Sequence, residues 1–418
     1  MLIKDKGIKG KSEIEGEIEV KYGLPKEIKF CKKCVISNQR PISELEFLHS
    51  IDTKKRTIGF NDEGVCSACQ YADKKDKEVN WKKREEELTT LCDQYRREDG
   101  YYDCIIPGSG GKDSVMASHT LKYKFNMHPL TVTWAPHIYT DVGWGNFQKW
   151  IHSGFDNILF NPNGKVHRLL TKLAFENLLH PFQPFILGQK SIGAKFAALY
   201  DIPLVFYGEN EVEYGNPIQD ALTPLRNMQY AANNDYRNMY LGGVRVGEIL
   251  EKYKLQLVDL LPYLPMDPNE YVRKKIQVQY LGYYIRWDPQ EAYYFAVEHT
   301  GFEANSERTE GTYSKYNSID DRSDPFHYYT TYIKFGIGRA TYDASQEIRN
   351  HKITREEGIA LVKKYDHEFP KKYFKEMLNY MDITEERFWE LIDKFRSPHI
   401  WKKENGEWKL RKTVYDTE

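Results

Sequence analysis

The stretch that most constrains this chain runs from Tyr102 to Tyr123. Tyr102-Asp103-Cys104-Ile105-Ile106 is short and apolar enough for a buried strand, and Val115, Met116, His119, Leu121 and Tyr123 continue in a helix-compatible pattern. Between them lies Pro107-Gly108-Ser109-Gly110-Gly111-Lys112-Asp113-Ser114. Strand, glycine turn and helix together turn free backbone N–H groups and a positive helix end toward an anion. Glycines let the backbone approach closely, Ser109 and Ser114 add hydroxyl donors, and Lys112 adds a point charge. The octet is a phosphate cradle. It is not a Walker A loop, which needs a Gly-Lys pair followed at once by Ser or Thr, whereas Asp113 follows Lys112 here.

The cradle sits in an alternating pattern. Strands are expected over 130–134, 157–160 and 204–207, and helices over 144–153, 165–179 and 191–200. Short apolar strands alternating with helices predict an α/β fold with a doubly wound parallel sheet, whose ligands gather beyond the carboxyl ends of the strands. Trp134-Ala-Pro-His137 and Gly208-Glu209-Asn210 follow two of those strands. Glu209 and Asp113 are candidates to hold Mg²⁺ against phosphates, since Mg²⁺ takes one or two acids plus phosphate oxygens. A solvated turn residue is the other reading of Glu209. Lys190 is expected near a helix start, reaching either phosphate or solvent, and His137 reads as a polar loop residue.

Four of the six cysteines form two Cys-x-x-Cys pairs, Cys31/Cys34 and Cys66/Cys69. In a reducing compartment this spacing reads as metal binding, and a four-thiolate tetrahedral zinc needs two such tight turns. An iron–sulfur cluster and two unrelated pairs remain the alternatives. Little apolar surface lies around the pairs, so the metal is expected to supply folding energy. Cys92 and Cys104 read as core residues.

Three regions are expected: 1–98 with the four-cysteine module and a helix capped by Asn80, 99–250 with the sheet, and a mainly helical 251–418 for substrate binding. Residues 1–29 read as a short hairpin or an arm. The aromatic stretch around Tyr283, Tyr284 and Trp287 reads as core, and the polar run 308–322 as a sugar site or a surface loop. A net charge of −1 offers no bulk attraction to nucleic acid. The N-terminus has no apolar signal-like region and no run reaches membrane-spanning length, so a soluble cytoplasmic protein is expected.

The octet carries the Ser-Gly-Gly-x-Asp-Ser signature and resembles the PP-loop, or N-type, ATP pyrophosphatases. With Cys31-x-x-Cys34-Val-Ile-Ser-Asn-Gln-Arg-Pro41, Gly64-Val-Cys-Ser-Ala-Cys69, Val132-Thr-Trp-Ala-Pro-His137 and Lys334-Phe-Gly-Ile-Gly-Arg-Ala-Thr-Tyr-Asp-Ala-Ser345, the chain resembles the N-acetyl sugar amidotransferases of that superfamily. The resemblance implies an enzyme that uses ATP, Mg²⁺ and zinc to make acetamidino sugars for lipopolysaccharide or flagellin glycans. Lys112, Asp113 and Glu209 are then the candidate catalytic residues, and Pro107, Gly108, Ser109, Gly110, Gly111, Asp113, Ser114, Trp134 and Lys190 the candidate ATP contacts. No internal glutaminase nucleophile is evident. The family implies a separate glutaminase and an ammonia-channel subunit resembling those of imidazole glycerol phosphate synthase. A PP-loop tRNA thiolase is the alternative.

Overall fold

The computed structural model describes residues 18–416. Most of the segment expected as a hairpin or arm, residues 1–17, lies outside them. The N-terminal region contributes α1 (Ser67–Lys77) and α2 (Trp81–Tyr95). Then follow β1 (Cys104–Pro107), α3 (Lys112–His119), β2 (Pro129–Trp134), α4 (Asp141–His152), β3 (Asn157–Phe160), α5 (Gly164–Leu178), α6 (Gln183–Tyr200) and β4 (Leu204–Tyr207). A small hairpin of β5 (Tyr240–Leu241) and β6 (Val244–Arg245) precedes α7 (Val246–Tyr253), α8 (Leu257–Leu260), α9 (Pro268–Arg273), β7 (Gln277–Tyr280) and α10 (Pro289–Thr300). The C-terminal region is mainly helical: α11 (Asp324–Phe335), α12 (Arg339–Arg349), α13 (Arg355–Tyr365), α14 (Phe374–Met381) and α15 (Glu385–Phe395), closed by hairpin β8 (Trp401–Glu404) and β9 (Glu407–Leu410).

The central sheet has the order β3-β2-β1-β4-β7, with every neighbouring pair parallel. Side-chain alternation divides it into two faces. Ile105, Val132 and Val205 join one core with Ile192, Ala194 and Ala197 of α6. Cys104, Ile106, Leu204 and Phe206 join another with Leu88 and Cys92 of α2. Both faces are covered, as a parallel sheet requires. The leftover cysteines Cys92 and Cys104 are core residues, as expected.

Two elements differ from the sequence expectation. The sheet takes its edge strand β7 from beyond residue 250, where the sheet-bearing segment was expected to end. Gln277-Val278-Gln279-Tyr280 lacks an apolar run, but Gln279 is buried and its Oε1 accepts from the Tyr284 hydroxyl at 2.9 Å. Helix α6 starts at Gln183 rather than near Ser191, so Lys190 lies within the helix. Gly188 suggests a break to a sequence reader, yet it serves close packing: a Cβ there would lie 2.2 Å from the Trp134 ring.

The four-cysteine module is not a separate unit. Its cysteines, Ile36 and Val65 share a core with Phe326, Ile333, Phe388 and Ile392 of the C-terminal helices. Arg355 on α13 donates to the carbonyls of Cys31 and Cys34. Among the described residues no helix is long and apolar enough to cross a membrane.

Candidate functional site

The turn between β1 and α3 has the geometry of an anion cradle. Gly110 adopts φ +83°, and a Cβ there would meet Phe147 Cα at 2.6 Å, so a side chain is excluded on both counts. The Gly110 N–H donates to Ser114 Oγ at 3.1 Å, and Ser114 Oγ donates to the Gly111 carbonyl at 2.9 Å. Helix α3 begins at Lys112, so the N–H groups of 112–114 have no carbonyl one turn back and are available to phosphate.

These residues face a cavity of ≈440 Å³. The structure brings every sequence-predicted ATP contact to its wall: Pro107 to Ser114, Trp134 and Lys190, together with Glu209. Lys112 Nζ pairs with Asp113 Oδ2 at 2.6 Å, while Asp113 Oδ1 is buried without a hydrogen-bond partner. Removal from water and the neighbouring Asp113 carboxylate push the Glu209 carboxyl up to about 7. Two acids held close, one with an orphaned oxygen, are a donor set that a divalent cation satisfies. Trp134 stands with Val132, Phe182, Phe185 and Ile186 on an apolar wall suited to a planar base. Lys190 lies 3.3 Å from Glu211, which also faces Arg226 at 3.6 Å. His137 does not line the cavity. Its ring Nδ1 lies 3.0 Å from Asp321 and 3.1 Å from Ser323 Oγ, anchoring the chain there.

The polar run and the helix after it add a further part of the wall. Ser318, Asp320, Asp321, Asp324 and Tyr328 line the same cavity as the nucleotide loop. Asp320 is raised above the usual carboxylate range by burial, although a hydrogen bond to Ser109 in the loop works the other way. Burial raises Asp324 further, against the offsetting charge of Arg339. Residues 310–415 match the family model described as the LPS biosynthesis protein WbpG-like, C-terminal domain. Residues 310–415 are thus similar to a WbpG C-terminal domain. Asp320, Asp321, Asp324 and Tyr328 of this WbpG-like segment line the same cavity as the cradle, so the cavity is a joint between two parts of the chain.

An uncharacterized protein of Methanocaldococcus jannaschii is 36% identical over 85 residues, 20% of this chain and 30% of that protein. The chain thus matches less than a third of that relative's length. Two solved structures resemble the chain. The NH3-dependent NAD synthetase of Campylobacter jejuni is 15% identical with a TM-score of 0.27, covering 47% of this chain and 93% of that one. The U34-tRNA thiolase NcsA of Methanococcus maripaludis, solved with its [4Fe-4S] cluster, is 11% identical with a TM-score of 0.28, covering 74% and 86%.

The four cysteines converge as the motif spacing predicts. All are buried, with their sulfurs within 4.8 Å of one another. Cys31 and Cys69 sulfurs are 3.9 Å apart, and Cys34 and Cys66 sulfurs 3.8 Å. Sequence reasoning missed Glu211, Tyr214, Arg226, Asp324 and Tyr328 as cavity residues. The dense polarity of 308–322 was the signal for Asp320 and Asp321. Arg226 and Asp324 stand alone in sequence and carry none.

Proposed function

We propose that the chain is an ATP-dependent amidotransferase that converts the acetamido group of an N-acetyl sugar, nucleotide-linked, into an acetamidino group. One observation supports this reading: the phosphate cradle and the WbpG-like segment line one cavity together. An acetamide carbonyl is a poor electrophile without a leaving group. Its oxygen attacks the α-phosphorus of ATP, forming a C–O–P bond as the Pα–O–Pβ bond breaks and pyrophosphate leaves. The amide nitrogen gives up its proton, leaving an imidate. Ammonia then bonds to the imidate carbon, and AMP departs with the former acetamido oxygen to leave the amidine.

The loop N–H groups, Ser109, Ser114 and Lys112 hold the departing pyrophosphate as negative charge grows on it. Asp113 and Glu209 would hold Mg²⁺, which when bound neutralises phosphate charge. The apolar wall at Trp134 receives the base, and Lys190, paired with Glu211 on the cavity wall, is a candidate phosphate contact. Four thiolates around tetrahedral zinc at about 2.3 Å stand about 3.8 Å apart, which the sulfur spacing matches. A cubane cluster interposes its own iron and sulfide and spreads its thiolates wider, so we assign the site to structural zinc. None of the six cysteines lines the ATP cavity, so a thiolase reading has no sulfur carrier there. Ammonia would come from a separate glutaminase through a channel subunit.

The test is product analysis with ATP, Mg²⁺, ammonium and a panel of UDP- and CMP-linked N-acetyl sugars. AMP, pyrophosphate and a sugar lighter by about one mass unit support the reading. ADP formation overturns it, and AMP formed only with tRNA and a sulfur donor assigns the chain to the thiolases.

A further inference from the structure

A cavity of ≈440 Å³ lies toward the lower end of the range that encloses a single ligand, about 300–1,000 Å³. A reaction that joins a nucleotide to a second substrate needs more room. That room adjoins it. A groove of ≈830 Å³ between residues 42–56 and 210–230 shares Ser43, Glu211, Arg226 and Tyr280 with the nucleotide cavity.

Two buried donors on this groove lack partners: Asn210 Nδ2 and Arg226 Nε. Asn210 is 1% exposed and Arg226 7%. Their remaining polar atoms are engaged. Asn210 Oδ1 accepts from the Val212 N–H at 3.1 Å, and Arg226 Nη1 donates to the Lys190 carbonyl at 3.1 Å. Both side chains are therefore fixed, each with one donor nitrogen to spare. A buried donor without a partner is costly, and native proteins retain one where a ligand or water supplies the acceptor.

The spare groups define the ligand. Two donors ask for two acceptor oxygens. The Arg226 charge already faces Glu211, so the acceptors need carry no charge. The exposed rim adds the amides of Asn227 and Gln229, whose paired donor and acceptor suit vicinal hydroxyls. A neutral polyol carrying a carbonyl fits all of these.

We propose that this groove holds the acceptor sugar, with its acetamido carbonyl and a hydroxyl oxygen accepting from Arg226 Nε and Asn210 Nδ2. Arg226 stands on the wall shared with the nucleotide cavity, so the acetamido oxygen is presented toward ATP. This assignment rests on the amidotransferase reading for its substrate class. It also moves the acceptor away from the 308–322 run, which lines the nucleotide cavity but not this groove.

The experiment is calorimetric titration of the full chain, without ATP, with UDP- and CMP-linked N-acetyl sugars, and with UDP-glucose as the probe lacking an acetamido group. Asn210→Asp keeps the acceptor that caps Val212 and removes the spare donor. Arg226→Lys keeps the charge and removes Nε. Far-UV circular dichroism confirms that each variant is folded. At least tenfold weaker binding of UDP-glucose is expected, and at least tenfold weaker binding of the N-acetyl sugar in both variants, with ATP affinity of Asn210→Asp within twofold of wild type. Unchanged sugar affinity in both folded variants overturns the proposal, as does a wild-type chain that binds no N-acetyl sugar of the panel. Asn210-dependent sugar binding without amidine formation would instead uphold the groove and remove the amidotransferase reading.

Discussion

Glu209 couples the cavity to pH. Its carboxyl is raised from 4.5 to about 7 by burial first and by Asp113 second. Between those values the folded chain retains a proton that the unfolded chain has lost, so this group's contribution makes stability fall as pH rises through the window and level off above about 7. Cation binding runs the other way, because only the ionised pair can ligate. Mg²⁺-dependent ATP binding is expected to strengthen as pH rises toward 7 and then to flatten, measured by titration between pH 5.5 and 8.5. Glu209→Gln should abolish that step and lower kcat/KM about 10²-fold, while the unfolding midpoint at pH 8 holds or rises. A variant that keeps the wild-type pH profile would show that another group titrates.

At the scale of elements, the cradle depends on how closely α6 lies on the sheet. Gly188→Ala drives a Cβ to 2.2 Å from the Trp134 ring. The change should cost about 1–3 kcal/mol in urea unfolding and raise the KM for ATP, because the ring it displaces forms the apolar wall. An unchanged urea midpoint would mean that the helix shifts freely. The strands were legible because Cys104-Ile-Ile and Leu204-Val-Phe are short apolar runs, and the cradle because its chemistry is contiguous. Capping was legible too: Asn80 caps α2 through the Lys83 N–H, as expected. Edge strand β7 was not, since its glutamines find partners only in the folded sheet. The true start of α6 was not legible either, since propensity disfavours glycine in helices, whereas packing against Trp134 demands it at Gly188. Arg226 and Asp324 owe their roles to neighbours distant in sequence, which no local pattern encodes.

Across the whole molecule, the four-cysteine module ties the C-terminal helices to the loop that follows β4. Arg349 on α12 reaches the Cys34 sulfur at 4.0 Å and the Glu213 carbonyl at 3.2 Å. Lys75 on α1 is buried against Glu213 at 2.9 Å, and Ser67 donates to the Gly215 carbonyl. Lys75→Ala leaves the Glu213 carboxylate buried and unpaired, and should cost about 3–5 kcal/mol in chemical unfolding. Removing the metal with a chelator should release one zinc per chain and lower the thermal midpoint, followed by metal analysis and calorimetry. A colourless protein with no iron fits that expectation, and a brown iron-containing one contradicts it. On the proposed split with a separate glutaminase, the lone chain should turn over with ammonium and be inert with glutamine.

The most direct test of the central claim follows one oxygen atom. An N-acetyl sugar labelled with ¹⁸O in its acetamido carbonyl is incubated with the protein, ATP, Mg²⁺ and ammonium, and the AMP is weighed by mass spectrometry. Adenylation of that oxygen predicts AMP heavier by about two mass units, with unlabelled pyrophosphate. Unlabelled AMP, or ¹⁸O retained in the sugar product, would contradict the account.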